Sequence, residues 1–170
     1  MNEDIQYHAA RILLLIEAMG PRGGAMDGLT KLVKLDFLLR YPQFLDRLLR
    51  KEQILWPEGI EPTPAEGLAV EAPMIRYKYG PWDDRYYPIL GYLRGTGLAD
   101  VQRSNGAMTI RLSDAGRAMA RQLSADPAWT RVWRRAQLLH AHFNVSGNTL
   151  KELIYNELPD VVDRPHRQTI

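Results

Sequence analysis

No cysteine occurs among the 170 residues. That absence removes disulfide staples, thiolate metal sites and a cysteine nucleophile at once. Histidine is sparse as well: His8, His140, His142 and His166 are the full set. His140 and His142 stand two apart, which places them on different faces of a helix, so they make poor partners in ligation. The four read as ordinary surface or interface histidines, and neither a metal nor a cofactor is expected. No uninterrupted apolar run approaches the roughly 20 residues that cross a bilayer. The opening Met1-Asn2-Glu3-Asp4 lacks the basic start and apolar core of a secretory signal. A cytoplasmic location without membrane contact is the default expectation. Charge of one sign is also missing, since 22 Lys and Arg against 20 Asp and Glu leave a net +2. Any affinity for nucleic acid must therefore come from local clustering. The chain has no Walker-type glycine loop, no Gly-x-Ser-x-Gly elbow and no His-Glu-x-x-His helix. The adjacent carboxylates Asp83 and Asp84 suit the positive end of a helix better than acid–base work. The expectation is a protein that is not an enzyme.

What is present is a globular mixture, 45% hydrophobic and 25% charged, in a chain long enough to bury its own core. It reads as one domain with distinct regions. These are an N-terminal helical region over 1–52, an acidic proline-rich loop or insertion over 53–73, a winged-helix unit over 74–124, C-terminal helices over 125–158 and a loose tail over 159–170. In the first region Ile5, Ala9, Ile12, Ile16 and Met19 recur at helical spacing. Leu13, Leu14 and Leu15 spread the apolar surface around most of the circumference, so this helix belongs at the centre of a core or an interface. Gly20-Pro21 stops it, and residues 22–28 read as a flexible glycine-rich loop. A second helix spans Leu29 to Arg40 and ends at Tyr41-Pro42, because the residue before proline is pushed out of the α region. Pro42 opens a short third helix through Lys51. Residues 53–73 hold Pro57, Pro62, Pro64 and Pro73 with Glu58, Glu61, Glu66 and Glu71, the composition of a partly mobile excursion.

The segment from Met74 onward carries the most information. Met74 to Tyr79 is short, aromatic and extended, and Gly80-Pro81 ends it. A helix is expected from Asp83 to Arg94, terminated by Gly95-Thr96-Gly97. The runs Leu98 to Arg103 and Ala107 to Leu112 flank Asn105-Gly106, a strong hairpin signal, and Ser113 caps a helix to Leu123. Helix, glycine corner, strand, Asn-Gly turn, strand and capped helix is the order of a winged helix-turn-helix. The expected fold class is mostly α with a small β-hairpin, a winged helix-turn-helix core with flanking N- and C-terminal helices. The latter run from Ala128 to Phe143 and from Thr149 to Leu158.

Two kinds of surface follow. Arg103, Asn105 and Arg111 of the wing, with Arg131, Arg134 and Arg135 of the later helix, suit contacts to DNA phosphates without sequence preference. A solvated helix face accounts for the last three equally well. The helix that would read bases opens on Asp83 and Asp84, which repel phosphate, so base-specific reading is not expected of it. The aromatic cluster of Tyr77, Tyr79, Trp82, Tyr86, Tyr87 and Tyr92 is dense for a chain with 9% aromatics. Tyr and Trp join a large contact area to a polar handle and are enriched at interface hot spots. Part of the cluster belongs to the core, and a packing anchor is the commoner role for a Trp placed as Trp82 is. Tyr77, Tyr79, Trp82, Tyr86 and Tyr87 are nonetheless the partner-interface candidates, and together with the apolar first helix they point to a subunit that binds protein, with a homodimer left open.

Three stretches carry a resemblance. Leu32-Val33-Lys34-Leu35-Asp36-Phe37-Leu38-Leu39-Arg40-Tyr41-Pro42 resembles an early motif of the middle components of bacterial ABC-three-component systems. Arg76-Tyr77-Lys78-Tyr79-Gly80-Pro81-Trp82-Asp83 is similar to their second motif, and Leu150-Lys151-Glu152-Leu153-Ile154-Tyr155 to their closing helix. The resemblance runs from Ile12 to about Leu158. It implies a small accessory subunit that works beside an SMC/Rad50-like ATPase subunit and an effector subunit, as in Lamassu-type anti-phage defence. It brings no catalytic residues, and the segment Gln53 to Pro73 looks like a variable insertion. The expected function is a non-catalytic adaptor that binds protein partners and, through the wing, DNA backbone; a stand-alone winged-helix transcriptional regulator is the alternative.

Overall fold

Helices α1 (Glu3–Ala18) and α2 (Leu29–Arg40) organise the molecule. The computed structural model describes residues 3–68, 75–77, 80–82 and 84–158, with side chains over 5–66 and 84–158. Five consecutive residues of α1, Ile12 to Ile16, are at most 1% exposed, so the helix is surrounded. It packs against α2, against strand β1 (Ala25–Asp27) and against four later elements named below. This is the central position that its all-round apolar surface predicts. In α2 every residue from Leu32 to Leu39 is buried, Lys34 and Asp36 included. Helix α3 (Pro42–Lys51) follows directly, with Pro42 at its first position and Phe44, Leu45, Leu48 and Leu49 inward.

A short helix α4 (Pro64–Leu68) leads to strands β2 (Ile75–Tyr77) and β3 (Gly80–Trp82), which pair antiparallel. Then come α5 (Tyr86–Gly95), β4 (Ala99–Ser104), β5 (Ala107–Leu112), α6 (Asp114–Ala125), α7 (Thr130–Phe143) and α8 (Gly147–Glu157). Helix α1 also touches α5, β5, α6 and α7. The described residues are thus mostly helical, around a small antiparallel sheet in the order β1-β5-β4. Because β1 lies before α2 and completes the hairpin's sheet, regions 1–52 and 74–124 share one core rather than forming separate units.

Two expectations need correction. The loop expected over 22–28 contains β1, paired with β5 so that Met26 lies opposite Ile110. Positive φ angles at Gly20, Gly23, Gly24 and Gly28 turn the chain back onto the sheet, which glycine does without steric cost. A three-residue strand is too short to show alternation. Helix α5 begins at Tyr86 rather than Asp83; Asp84 and Arg85 form a turn, and Asp83 lies outside the described residues. Pro88 sits in the first turn, where its missing N–H costs nothing. The excursion beginning at Gln53, expected to be partly mobile, meets α7 as far as Glu66 through contacts described below. The tail over 159–170 and the approach segment at Met74 lie outside the described residues.

The hairpin follows its sequence signal. Asn105 and Gly106 have φ of 52° and 77°, the left-handed pair that a two-residue turn requires, between Ser104 and Ala107 in register. Ser113 accepts from the Gly116 N–H at 3.0 Å and donates to the Gly97 carbonyl at 2.6 Å. It therefore caps α6 and ties it to the corner before β4.

Candidate docking and nucleic-acid interface

Helix α5 divides the aromatic cluster. Tyr86, Ile89, Leu90 and Leu93 face inward, whereas Tyr87 is 58% exposed. The inward face rests on a buried charged hub. Asp36, fully buried on α2, receives Arg11 of α1 through Nε to Oδ1 at 2.7 Å and Nη2 to Oδ2 at 3.0 Å. The Tyr86 hydroxyl donates to Asp36 Oδ2 at 2.6 Å, and Arg40, one turn along α2, lies 3.8 Å from the same oxygen. His8, also buried, places Nδ1 2.6 Å from Arg11 Nη1 and Nε2 3.1 Å from Arg85 Nη1. A guanidinium only donates, so the ring accepts from Arg11 in the shorter contact.

Burial alone would raise the Asp36 pKa. The adjacent Arg11 charge and hydrogen bonds, then Arg40 and Tyr86, outweigh it and hold the carboxyl below its ordinary 3.8. Burial, and then the neighbouring carboxylate, push the Tyr86 hydroxyl well above its ordinary value, so it stays a donor. The hub thus joins α1, α2 and α5 through one carboxylate.

Beside α5, a groove of about 380 Å³ lies between the helix and the hairpin, and Leu90 of the inward set also reaches its lining. Tyr87, Leu90, Gly91 and Arg94 line one wall, and Val101, Arg103 and Met108 line the other. Alternation along the strands explains the second wall. Val101 and Arg103, with Met108 opposite Arg103, lie on the face toward α5; Asp100, Gln102 and Arg111 lie on the other face. Arg103 and Arg111 are therefore on opposite sides of the hairpin, and Arg111 stands across the ladder from Asp100. Asn105 occupies the exposed turn.

The α7 arginines turn to the acidic loop, Arg131 from an exposed position and Arg135 from a buried one. Arg135 is 4% exposed. It donates to both Glu66 carboxylate oxygens at 2.6 and 3.1 Å and to the Ile60 and Glu61 carbonyls at 3.0 and 3.1 Å. Its guanidinium also lies over the Trp56 ring, whose N–H donates to Asp46 at 2.7 Å. Arg131 reaches Glu66 at 3.2 Å, and Arg134 donates to the Glu58 carbonyl at 2.9 Å. These arginines clasp the acidic loop to α7. Burial raises the Glu66 pKa, but hydrogen bonds from Arg135 and from Thr63, with the Arg135 charge, bring it from 4.5 to about 2.

Of the other predicted interface residues, Tyr77 lies in β2 opposite Gly80, and Trp82 lies in β3 opposite Ile75. Tyr79 is outside the described residues. Strand β3 touches α2 and α8, which also touch each other. The stretches 32–42, 76–83 and 150–155 thus contribute elements to one junction.

Several features had no sequence signal strong enough to single them out. His8 and Arg11 sit at helical spacing in α1, but their partners are 25 to 77 residues away. Leu55, at 89% exposure, projects from the loop that Trp56 and Arg134 brace. Among the described residues no group of three or more His, Asp or Glu is placed to hold a metal ion, and no helix is long and apolar enough to cross a membrane. No family model matches the chain, and neither a curated protein nor a solved structure matches it.

Proposed function

We propose that the chain is a non-catalytic adaptor subunit that docks a protein partner on the α5–hairpin face of a winged-helix unit. The partner belongs to a defence complex built on an SMC-like ATPase and an effector. The strand order β1-β5-β4, with α5 leading into the hairpin, supports the winged-helix reading. The observation that carries the docking reading is the groove: an apolar floor, an exposed tyrosine and two arginines, on a helix whose back is anchored by the Asp36 hub. Interfaces concentrate such aromatic and arginine anchors. The resemblance of the three stretches supplies the class of partner.

Co-expression with the neighbouring gene products, followed by size-exclusion chromatography, tests this reading. Co-elution is the expected result; a chain that co-elutes with neither neighbour ends it. The stand-alone regulator keeps one observation in its favour, since Arg94 and Arg103 share a face that a duplex backbone would meet. It requires a preferred operator in a binding-site selection at physiological salt, with half-sites about one helical turn apart. The adaptor reading expects no sequence preference.

A further inference from the structure

This inference rests on the docking reading above and names the chemistry of the partner. Among the described residues, the lining of the α5–hairpin groove contains two guanidinium groups, Arg94 and Arg103, and no carboxylate. Neither arginine makes an ion pair or side-chain hydrogen bond with another of the described residues. That contrasts with Arg11, Arg117, Arg131 and Arg135, each of which is matched by a carboxylate inside the fold. Between the two cations the floor is aliphatic and thioether: Leu90, Val101 and Met108. Gly91 interrupts the helical wall. A Cβ built there would meet nothing within 4 Å, and its backbone needs no positive φ. Its missing side chain therefore leaves open space in the groove wall that no internal packing demands.

We propose that this groove receives a short segment of a partner protein in which an aliphatic anchor residue is flanked by carboxylates. The anchor covers Leu90, Val101 and Met108, entering past Gly91. The flanking carboxylates take the planar donor pairs of Arg94 and Arg103, a geometry that guanidinium offers and ammonium does not. The floor's methionine adapts to the anchor's shape. Single-stranded nucleic acid fits less well. It calls for a continuous cationic track with successive stacking rings, whereas Tyr87 is the one aromatic residue in the lining and the cations there are two.

The test uses the full chain as the target for a displayed library of random twelve-residue peptides, followed by fluorescence polarisation with the best enriched peptide. The expected pool carries Leu, Ile or Val flanked by Asp or Glu. Affinity should fall at least about tenfold in the Arg94→Glu/Arg103→Glu variant, and fall with added salt. The same peptide with lysines in place of its carboxylates should bind that variant better than the parent. Gly91→Gln, which removes a helix-interior glycine, should keep the parent's melting midpoint and lose the peptide. A pool without acidic residues, no enrichment, or displacement of the peptide by a twelve-nucleotide oligo-dT at lower concentration each overturns the proposal. Failure here is separable from failure of the docking reading. A neighbouring gene product that co-elutes with the parent and the charge-reversed variant, but not with Gly91→Gln, retains the docking face and removes the acidic chemistry.

Discussion

At the scale of single residues, Asp36 is the position on which most depends. Its carboxylate is the shared counter-charge for Arg11 and Arg40 and the acceptor for Tyr86. Asp36→Asn would leave two guanidinium groups in an apolar core, which costs about 3–5 kcal/mol. Tyr86→Phe removes one hydrogen bond to a charged group and should cost less, about 1.5–3 kcal/mol. Urea unfolding monitored by circular dichroism measures both, and equal midpoints for Asp36→Asn and parent would mean that the hub holds nothing together. Because the folded Asp36 pKa is depressed, its contribution is fully present above the ordinary aspartate value of 3.8. It is lost only as pH falls through the lower folded value. Little of this was legible in the sequence. Asp36 is one acidic residue in a mostly apolar stretch, and a cation 25 residues earlier and a hydroxyl 50 residues later leave no local pattern.

At the scale of elements, local chemistry was legible where a turn or cap specified it. The Asn105-Gly106 hairpin and the Ser113 cap stand where their signals put them. What lay hidden was close approach between elements. A Cβ on Gly116 would collide with the Leu98 carbonyl oxygen, so α6 crosses the start of β4 at backbone contact. Gly116→Ala must push the helix away and should cost about 1–3 kcal/mol, as overpacking does. Ser113→Ala, which loses the cap but keeps the spacing, should cost about 1 kcal/mol. If Gly116→Ala instead raised the melting midpoint, as alanine does in an open helix, the contact would be wrong. The acidic loop yields a pH prediction of the same kind. Glu66 has a folded pKa of about 2 against an ordinary 4.5, so its share of stability is present above about 4.5 and fades as pH falls toward 2. Glu66 is partly exposed, which discounts that share to roughly 1–2 kcal/mol. Glu66→Gln should therefore match the acid-weakened parent near pH 2 and lag it at pH 7. Composition marked this loop as acidic and proline-rich, but the arginines that hold it are about 70 residues further along.

At the scale of the whole molecule, the hairpin's alternation decides what any contact with DNA would look like. Six polar and basic residues were candidates in the sequence for phosphate contact, yet the fold distributes them over four places, with Asn105 in the exposed hairpin turn. Arg103 faces the α5 groove, Arg111 lies on the reverse of the sheet opposite Asp100, and the α7 arginines clasp the loop. A duplex lying along α5 and the hairpin would meet Arg94 and Arg103 and leave Arg111 behind. Each phosphate contact removed lowers the steepness of log affinity against log salt by about 1. Arg103→Ala and Arg94→Ala should each produce that change, while Arg111→Ala should leave the slope as it is. Arg135→Ala distinguishes the clasp from a phosphate contact, because it should lower the melting midpoint in the absence of DNA by taking two donors from Glu66 and the guanidinium donor from two loop carbonyls. Equal slope changes for Arg103→Ala and Arg111→Ala would require a duplex to straddle the hairpin tip, and that geometry would leave the α5 groove uncovered even while DNA is bound.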